Sequence, residues 1–126
     1  MDTVSKLSRY AASAGSEIRF IGEPKTVDND LVLTDHTPGF GSAARYVAST
    51  VREIVIDANV YEKKSVTIIE IMGRHAGWLT AASALARKYK GDNPLLIYLP
   101  ETAFDQEAFL KKVEECFEKT PNVIVC

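Results

Sequence analysis

The chain has 126 residues, of which 46% are hydrophobic and 25% are charged, proportions that are ordinary for a globular domain. Its net charge of −2 creates no long-range field that would attract nucleic acid or an anionic membrane surface. Its apolar stretches are too short to cross a membrane. We therefore expect neither nucleic acid nor a membrane among its partners.

Two further features concern the cellular compartment. The two cysteines, Cys116 and Cys126, form no CxxC pair and have no histidine nearby, so we expect free thiols and neither a disulfide nor a zinc site. The first residues lack the apolar segment of a secretory signal. These features favour a cytoplasmic location.

The first half of the chain predicts two helices separated by a strand and a polar loop. Apolar residues at helical spacing predict a helix from Asp2 to Ala14, and Gly15 ends it. A short strand at 18–21 and a polar loop at 23–35 follow. The longest predicted helix spans 40–58, and its apolar stripe is formed by Phe40, Ala44, Val47, Val51, Ile54, Val55 and Ala58.

The second half of the chain repeats this alternation. The β-branched run at 66–71 predicts a buried strand, and a helix at 78–89 follows it. The apolar stripe of this helix is formed by Leu79, Ala82, Leu85, Ala86 and Tyr89. A third strand is predicted at 95–99, and a last one at 123–125. Asp105 is the predicted N-cap of a helix between them, with a core face formed by Phe109, Leu110, Val113, Cys116 and Phe117.

This alternation predicts an α/β fold with a parallel, Rossmann-like sheet that is covered on both sides. In such sheets, ligands bind beyond the carboxyl ends of the strands. Three polar loops follow predicted strands, and we expect two or three of them to line one crevice: 25–30, 73–74 and 100–101. Because the chain ends inside its last predicted strand, we also expect it to be a fragment of a longer protein.

The loop at 25–30 could bind and activate a phosphorylated substrate. Lys25 can neutralise a phosphate and Thr26 can hydrogen-bond to one. Asp28 could accept the proton of a hydroxyl that attacks phosphorus. The alternative is a polar turn in which Asn29 and Asp30 hydrogen-bond to their own backbone.

The segment at 72–77 combines two glycines with an arginine at the start of a predicted helix. Glycines allow close approach of the backbone to a ligand, and Arg74 could hold a phosphoryl group with paired donors. The alternative is a tight strand-to-helix turn with a solvent-facing arginine. For His75, a hydrogen-bonded histidine is a better interpretation than a metal ligand. The sequence contains no Walker-type phosphate loop.

Three segments in the same order resemble motifs of the phosphofructokinase family. The first resembles the family's Pro-Lys-Thr-Ile-Asp-Asn-Asp signature, the second resembles the segment that follows it, and the third resembles the Met-Gly-Arg motif. They are Pro24-Lys25-Thr26-Val27-Asp28-Asn29-Asp30, Thr34-Asp35-His36-Thr37-Pro38-Gly39-Phe40-Gly41-Ser42-Ala43 and Glu70-Ile71-Met72-Gly73-Arg74-His75-Ala76-Gly77-Trp78-Leu79-Thr80. The resemblance is closest to the pyrophosphate-dependent branch.

This resemblance implies phosphoryl transfer from pyrophosphate to the 1-hydroxyl of fructose 6-phosphate, with Mg²⁺. It implies that Asp28 is the general base and that Lys25 stabilises the transferring phosphoryl group. Arg74 would act in catalysis and would also contact the sugar phosphate. The other residues that would contact the sugar phosphate are Thr26, Asp28, Met72 and Gly73. Asp30 would lie in the magnesium network, with the main metal ligand expected upstream of Met1.

The resemblance also implies a division of the chain. Residues 1–41 would belong to the larger, donor-binding domain, and residues 42–126 to the smaller, sugar-phosphate-binding domain. The complete protein would be a homo-oligomer, and this piece alone would be inactive without the donor loop. The alternatives are an ATP-dependent 6-phosphofructokinase and a non-catalytic sugar-phosphate-binding or scaffold module.

Overall fold

The computed structural model describes residues 1–126, which form four α-helices and two β-strands. A single 3₁₀ turn, Ser83–Ala86, continues the third helix. No helix is long and apolar enough to span a bilayer. In chain order the elements are α1 (Asp2–Ser13), α2 (Phe40–Ala58), β1 (Ser65–Ile68), α3 (Trp78–Ala82), α4 (Gln106–Phe117) and β2 (Asn122–Val125).

The two strands form a parallel sheet in which β2 is central. Ser65 lies opposite Asn122, and this register continues to the pair of Ile68 and Val125. On the other side of β2, Leu96 forms a parallel bridge with Val125. Backbone hydrogen bonds extend this contact, since Cys126 donates to Leu96 at 3.0 Å. The predicted α/β fold with a parallel sheet is confirmed.

The core lies between α2 and β2. Val51 and Ala58 of α2 pack in one cluster with Ala86, Ile124 and Cys126. The apolar stripe predicted for this helix therefore forms the buried face, and the predicted bounds of the helix agree with the structure. α2 also contacts α3 and the 3₁₀ turn, so one helix packs against the sheet, α3 and the 3₁₀ turn that follows α3.

The structure corrects three predictions about strands. Residues 18–21 form no strand, and Ile21 is 91% exposed. The predicted strand at 95–99 is reduced to the single bridge at Leu96. β1 is at the edge of the sheet, and its Ile68 is 70% exposed. Strand propensity needs a neighbouring strand and a covering layer, and these segments lack one or both in this chain.

The predicted helix at 78–89 ends earlier than expected. α3 ends at Ala82, the 3₁₀ turn follows, and the chain then leaves the helical path. The carboxylate of Asp92 accepts hydrogen bonds from the backbone N–H groups of Lys88 and Tyr89. This local side-chain bonding competes with helix continuation. Leu85 and Tyr89, predicted in the apolar stripe, are exposed.

The predicted N-cap of α4 is confirmed. Oδ1 of Asp105 accepts a hydrogen bond from the backbone N–H of Ala108 at 2.8 Å. Val113 of the predicted core face is buried, but Leu110 is 52% exposed. The prediction that Leu110 belongs to the core face is therefore wrong. Both cysteines are free, with Cys126 buried and Cys116 half-buried.

Candidate active site

The loop that carries Asp28 is held by a network of side-chain hydrogen bonds. Asn29 has a left-handed backbone (φ 57°) and is 6% exposed. Its Oδ1 accepts from the backbone N–H of Thr37 at 2.9 Å, and its Nδ2 donates to the carbonyl of Asp35 at 3.2 Å. The hydroxyl of Thr37 donates to the carbonyl of Thr26 at 2.6 Å. Asn29 therefore bridges the loop, and the expectation that it bonds to its own backbone is wrong.

Thr26 has a local role in the same loop. Its hydroxyl oxygen accepts a hydrogen bond from the backbone N–H of Asp28 at 3.2 Å. This bond fixes the backbone one residue before Asn29. Asp28 therefore lies between two residues, Thr26 and Asn29, whose side chains are hydrogen-bonded within this segment.

A second tight turn precedes α3. Gly73 has φ +145°, and a Cβ added to it would lie 2.5 Å from the carbonyl oxygen of Ala76. Only glycine fits this turn without strain. At the other end of the turn, the backbone N–H of Gly77 donates to Oε1 of Glu101 at 2.7 Å. The turn thus presents Arg74 from a backbone that is fixed at both ends.

These two loops meet at one open cleft of about 490 Å³. The cleft lies beyond the carboxyl end of β1, where the rule for parallel sheets predicts a ligand site. The first loop contributes two carboxylates, and the second contributes the backbone and side chains around Arg74. The lining residues are Asp28, Asp30, Glu70, Ile71, Met72, Gly73, Arg74 and His75.

The carboxylate of Asp28 has an unusual environment. Its Oδ1 is shielded from solvent and accepts no hydrogen bond from the chain. A buried oxygen without a donor is unfavourable, and buried polar atoms are almost always paired. The other carboxylate oxygen, Oδ2, is not shielded in this way, so it can accept a proton or a hydrogen bond from a ligand in the cleft that Asp28 lines. This property fits the general-base role predicted for Asp28.

Several predicted site residues lie elsewhere. Lys25 and Thr26 do not line the cleft. Lys25 is exposed, and its Nζ lies 4.0 Å from the position that a Cβ would take on Gly39. Pro100 of the third predicted loop lines a neighbouring apolar groove, not this cleft. Two of the three predicted loops therefore share one crevice, and the chemical roles of their residues stay predictions.

Sequence reasoning gave no site role to three residues of the cleft, Glu70, Ile71 and His75. Glu70 lies there, and the available signal was a charged residue inside an otherwise apolar run at 66–71. His75 also lines the cleft and is exposed. It donates or accepts no hydrogen bond within the chain, so the expectation of a hydrogen-bonded histidine is wrong.

The side chains of the cleft include possible ligands for the predicted magnesium ion. No cluster of three or more histidine, cysteine, aspartate or glutamate side chains is present that could hold a metal unaided. Three carboxylates line the cleft, those of Asp28, Asp30 and Glu70. Mg²⁺ commonly binds to one or two carboxylates together with substrate phosphates and water. The residues fit a magnesium ion that is shared with a phosphorylated ligand.

Comparison with known proteins decides the family. The sequence profile described as "Phosphofructokinase" matches residues 1–126. The chain belongs to the phosphofructokinase family. The resemblance seen in the three motifs is therefore confirmed.

Individual members of the phosphofructokinase family differ in their named phosphoryl donor. The chain is 52% identical over 126 residues to the pyrophosphate–fructose 6-phosphate 1-phosphotransferase of Xanthomonas campestris pv. campestris, covering 98% of this chain and 30% of the relative. It is 35% identical over 120 residues to ATP-dependent 6-phosphofructokinase 2 of Streptomyces coelicolor, covering 94% of this chain and 33% of that relative.

Solved structures agree with the fold. The crystal structure of a pyrophosphate-dependent phosphofructokinase from Marinobacter aquaeolei matches with a TM-score of 0.89 and 44% identity, over 98% of this chain and 32% of that chain. The chain thus spans about a third of the length of the family members that it matches.

Proposed function

We propose that the protein transfers a phosphoryl group from pyrophosphate to the 1-hydroxyl of fructose 6-phosphate. The observation that carries this proposal is the shared cleft, which Asp28 and Arg74 line from two different loops. A proton acceptor and a phosphate-binding cation are the two groups that phosphoryl transfer to a sugar phosphate requires. The names of the most similar relatives support pyrophosphate as the donor.

In the proposed reaction, the 1-hydroxyl oxygen forms a bond to one phosphorus of pyrophosphate, and its proton passes to the carboxylate of Asp28. The bond from that phosphorus to the bridging oxygen breaks, and phosphate leaves. The products are fructose 1,6-bisphosphate and phosphate. The position of Asp28 in the lining of the cleft supports this role, because its unshielded Oδ2 can accept the proton of a hydroxyl bound there.

The turn at 72–74 would hold the substrate. Arg74 would neutralise the phosphate of fructose 6-phosphate, and the fixed backbone of Met72 and Gly73 would set its position. Thr26 would act with them by fixing Asp28. Catalysis of phosphoryl transfer depends mainly on such positioning and on charge neutralisation.

Lys25 would stabilise the transferring phosphoryl group. In the chain its side chain is exposed, and the single ion pair of the structure is formed elsewhere, by Lys6 and Asp2. A flexible lysine without an ion-pair partner could turn toward a bound donor. This role depends on the donor loop, which we expect in another part of the protein.

We further propose that Mg²⁺ takes part, with Asp30 close to it and with a principal ligand outside residues 1–126. When bound, the ion would neutralise charge on the pyrophosphate oxygens. We also propose the division of the chain at residues 41 and 42. Its support is that Gly22 lies close to Met1 and to Val4 of α1, whereas α2 packs on the sheet.

A homo-oligomer is the proposed state of the complete protein. Large apolar side chains are exposed in this chain, including Ile21 at 91%, Val32 at 88% and Leu85 at 73%. Such side chains support burial by further protein, either the rest of the molecule or a second copy. Sedimentation of the full-length protein would test this, and a monomer would contradict it.

The test of the function uses the protein expressed at its full length. We expect formation of fructose 1,6-bisphosphate from fructose 6-phosphate with pyrophosphate and Mg²⁺. Asp28→Asn should lower kcat by about 100-fold or more with little change in KM, because a general base acts in the transition state. Asp35→Asn, in the same loop but with an exposed side chain outside the cleft, is the matched control.

Two outcomes would contradict the proposal. Turnover with ATP and not with pyrophosphate would make the protein an ATP-dependent phosphofructokinase. Binding of fructose 6-phosphate without turnover with either donor would support the sugar-phosphate-binding module. Lys25→Gly should reduce turnover with pyrophosphate, and an unchanged rate would remove Lys25 from the mechanism.

A further inference from the structure

Asp28 is followed by a pair of buried polar residues that touch no part of the cleft. Thr37 has no exposed surface, and Asn29 is 6% exposed. Neither lines the cleft that contains Asp28. Their side chains can therefore influence the site only through the backbone of the loop.

The hydrogen bonds of Thr37 reach one residue on each side of Asp28, namely Thr26 and Asn29. The hydroxyl of Thr37 donates to the carbonyl of Thr26 at 2.6 Å and also lies 3.2 Å from Oδ1 of Asn29. The backbone N–H of Thr37 donates to the same Oδ1 at 2.9 Å. One threonine thus ties together the residue two positions before Asp28 and the residue directly after it.

All side-chain polar atoms of the pair are occupied. Oδ1 of Asn29 accepts from Thr37, its Nδ2 donates to the carbonyl of Asp35, and the hydroxyl of Thr37 donates to Thr26. None of these donors is directed at the carboxylate of Asp28, whose buried Oδ1 stays unpaired. The left-handed backbone of Asn29 (φ 57°) is an unfavourable conformation that this network holds in place.

We propose that Asn29 and Thr37 form a clamp that positions Asp28 with one carboxylate oxygen buried and free of donors from the protein. They are positioning residues, since they act only through Asp28. The inference rests on the proposed function, because it assigns them to the proton-transfer step. A free loop would let Asp28 rotate toward solvent, and small displacements of a reacting group cost large factors in rate.

The test uses Thr37→Val in the full-length protein, which removes the hydroxyl and keeps the shape. We expect kcat to fall by about 10- to 100-fold, while the KM for fructose 6-phosphate changes by less than about twofold. Thr37→Ser keeps the hydroxyl and should restore kcat to within about threefold of the unaltered protein. Thr34→Val is the matched control, because the exposed hydroxyl of Thr34 bonds only to Val32 in the same loop.

A double mutant separates positioning from general stability. If Thr37 acts through Asp28, then Thr37→Val added to Asp28→Asn should lower kcat no further. Multiplicative losses would overturn the clamp, and so would a kcat unchanged in Thr37→Val or a loss that Thr37→Ser does not restore. Should Thr37→Val fail to fold, Thr37→Ala carries the same expectations.

The clamp and the proposed function fail in different ways. An unaltered protein that does not use pyrophosphate and fructose 6-phosphate contradicts the function. An active unaltered protein whose kcat is insensitive to Thr37→Val contradicts the clamp alone.

Discussion

The backbone N–H of Gly77 donates a 2.7 Å hydrogen bond to Oε1 of Glu101, a residue 24 positions away in the sequence. The other oxygen of Glu101 lies 2.7 Å from the position that a Cβ on Gly77 would occupy. The carboxylate therefore packs directly on the turn that carries Gly73 and Arg74. Through this contact, the segment after Leu96 supports the wall of the cleft.

Glu101→Ala should lower the stability of the full-length protein by about 1 kcal/mol, because it removes an acceptor from a buried backbone N–H group. Glu101→Gln keeps a carbonyl oxygen in place and should cost less. Glu114→Ala, at an exposed position of α4, is the control. Thermal unfolding measures all three, and equal Tm values for Glu101→Ala and Glu101→Gln would show that the hydrogen bond has no such role.

Gly73→Ala should damage the site more than a substitution at another glycine with positive φ. The added Cβ would lie 2.5 Å from a backbone carbonyl, whereas at Gly91 (φ +96°) nothing lies within 4 Å. We expect both variants to lose about 1 kcal/mol or more from backbone strain. Only Gly73→Ala should also weaken binding of fructose 6-phosphate, measured by calorimetry. Equal affinity in the two variants would contradict the assignment of the turn to the substrate.

Arg74→Lys should raise the KM for fructose 6-phosphate by about tenfold, since lysine keeps the charge but cannot bind a phosphate with two parallel donors. Its kcat should fall less than in Asp28→Asn. Arg52→Lys, at an exposed position of α2 outside this cleft, serves as the control. Steady-state kinetics that showed the same KM for Arg74→Lys and the unaltered protein would remove Arg74 from the binding site.

The two cysteines should differ in reactivity. Burial raises the pKa of the Cys126 thiol, although a hydrogen bond with Ser83 and the charge of Arg87 oppose the effect. Because the thiolate is the reactive form, Cys126 should react with iodoacetamide more slowly than the half-buried Cys116 at pH 8. Peptide mass spectrometry of the folded protein measures both rates, with the guanidinium-unfolded protein as control. Faster labelling of Cys126 would contradict the prediction.

The same pKa shift has a consequence for stability. A folded-state pKa above the unfolded value means that the folded protein binds more protons, so stability is retained at neutral pH. It should decrease as the pH rises above the ordinary thiol pKa of about 8.5 toward the folded value. Cys126→Ala should reduce this decrease in urea unfolding between about pH 8 and pH 10. A decrease of the same size in Cys126→Ala and in the unaltered protein would contradict the prediction.

Features with a local cause were predictable from the sequence. α2 has the predicted bounds because its apolar stripe is long and regular. Asp105 caps α4 because an aspartate before a helical run can bond to the free N–H groups at its start. Asp28 and Arg74 share a cleft as expected, and the loop that carries Arg74 follows β1, as the rule for parallel sheets predicts. The loop that carries Asp28 follows no strand of this chain, so the rule does not account for its position.

Features with a distant cause were not predictable. The segment at 18–21 has strand propensity but no strand beside it, so it stays irregular. The bonds from Asn29 to Asp35 and Thr37 depend on a loop conformation that residue type does not dictate. Glu70 lies in the cleft because β1 ends before it, at Ile68. The charge of Glu70 alone did not indicate that position.

The sequence by itself determined most of the alternation of helices and strands, the two loops that line the cleft and the family, because periodicity and short motifs are written in neighbouring residues. Only the tertiary structure decided which oxygen of Asp28 is buried without a partner and which residues hold it there. The physical reason is that hydrogen-bond pairing and burial depend on contacts between residues that are far apart in the chain, and these exist only after folding.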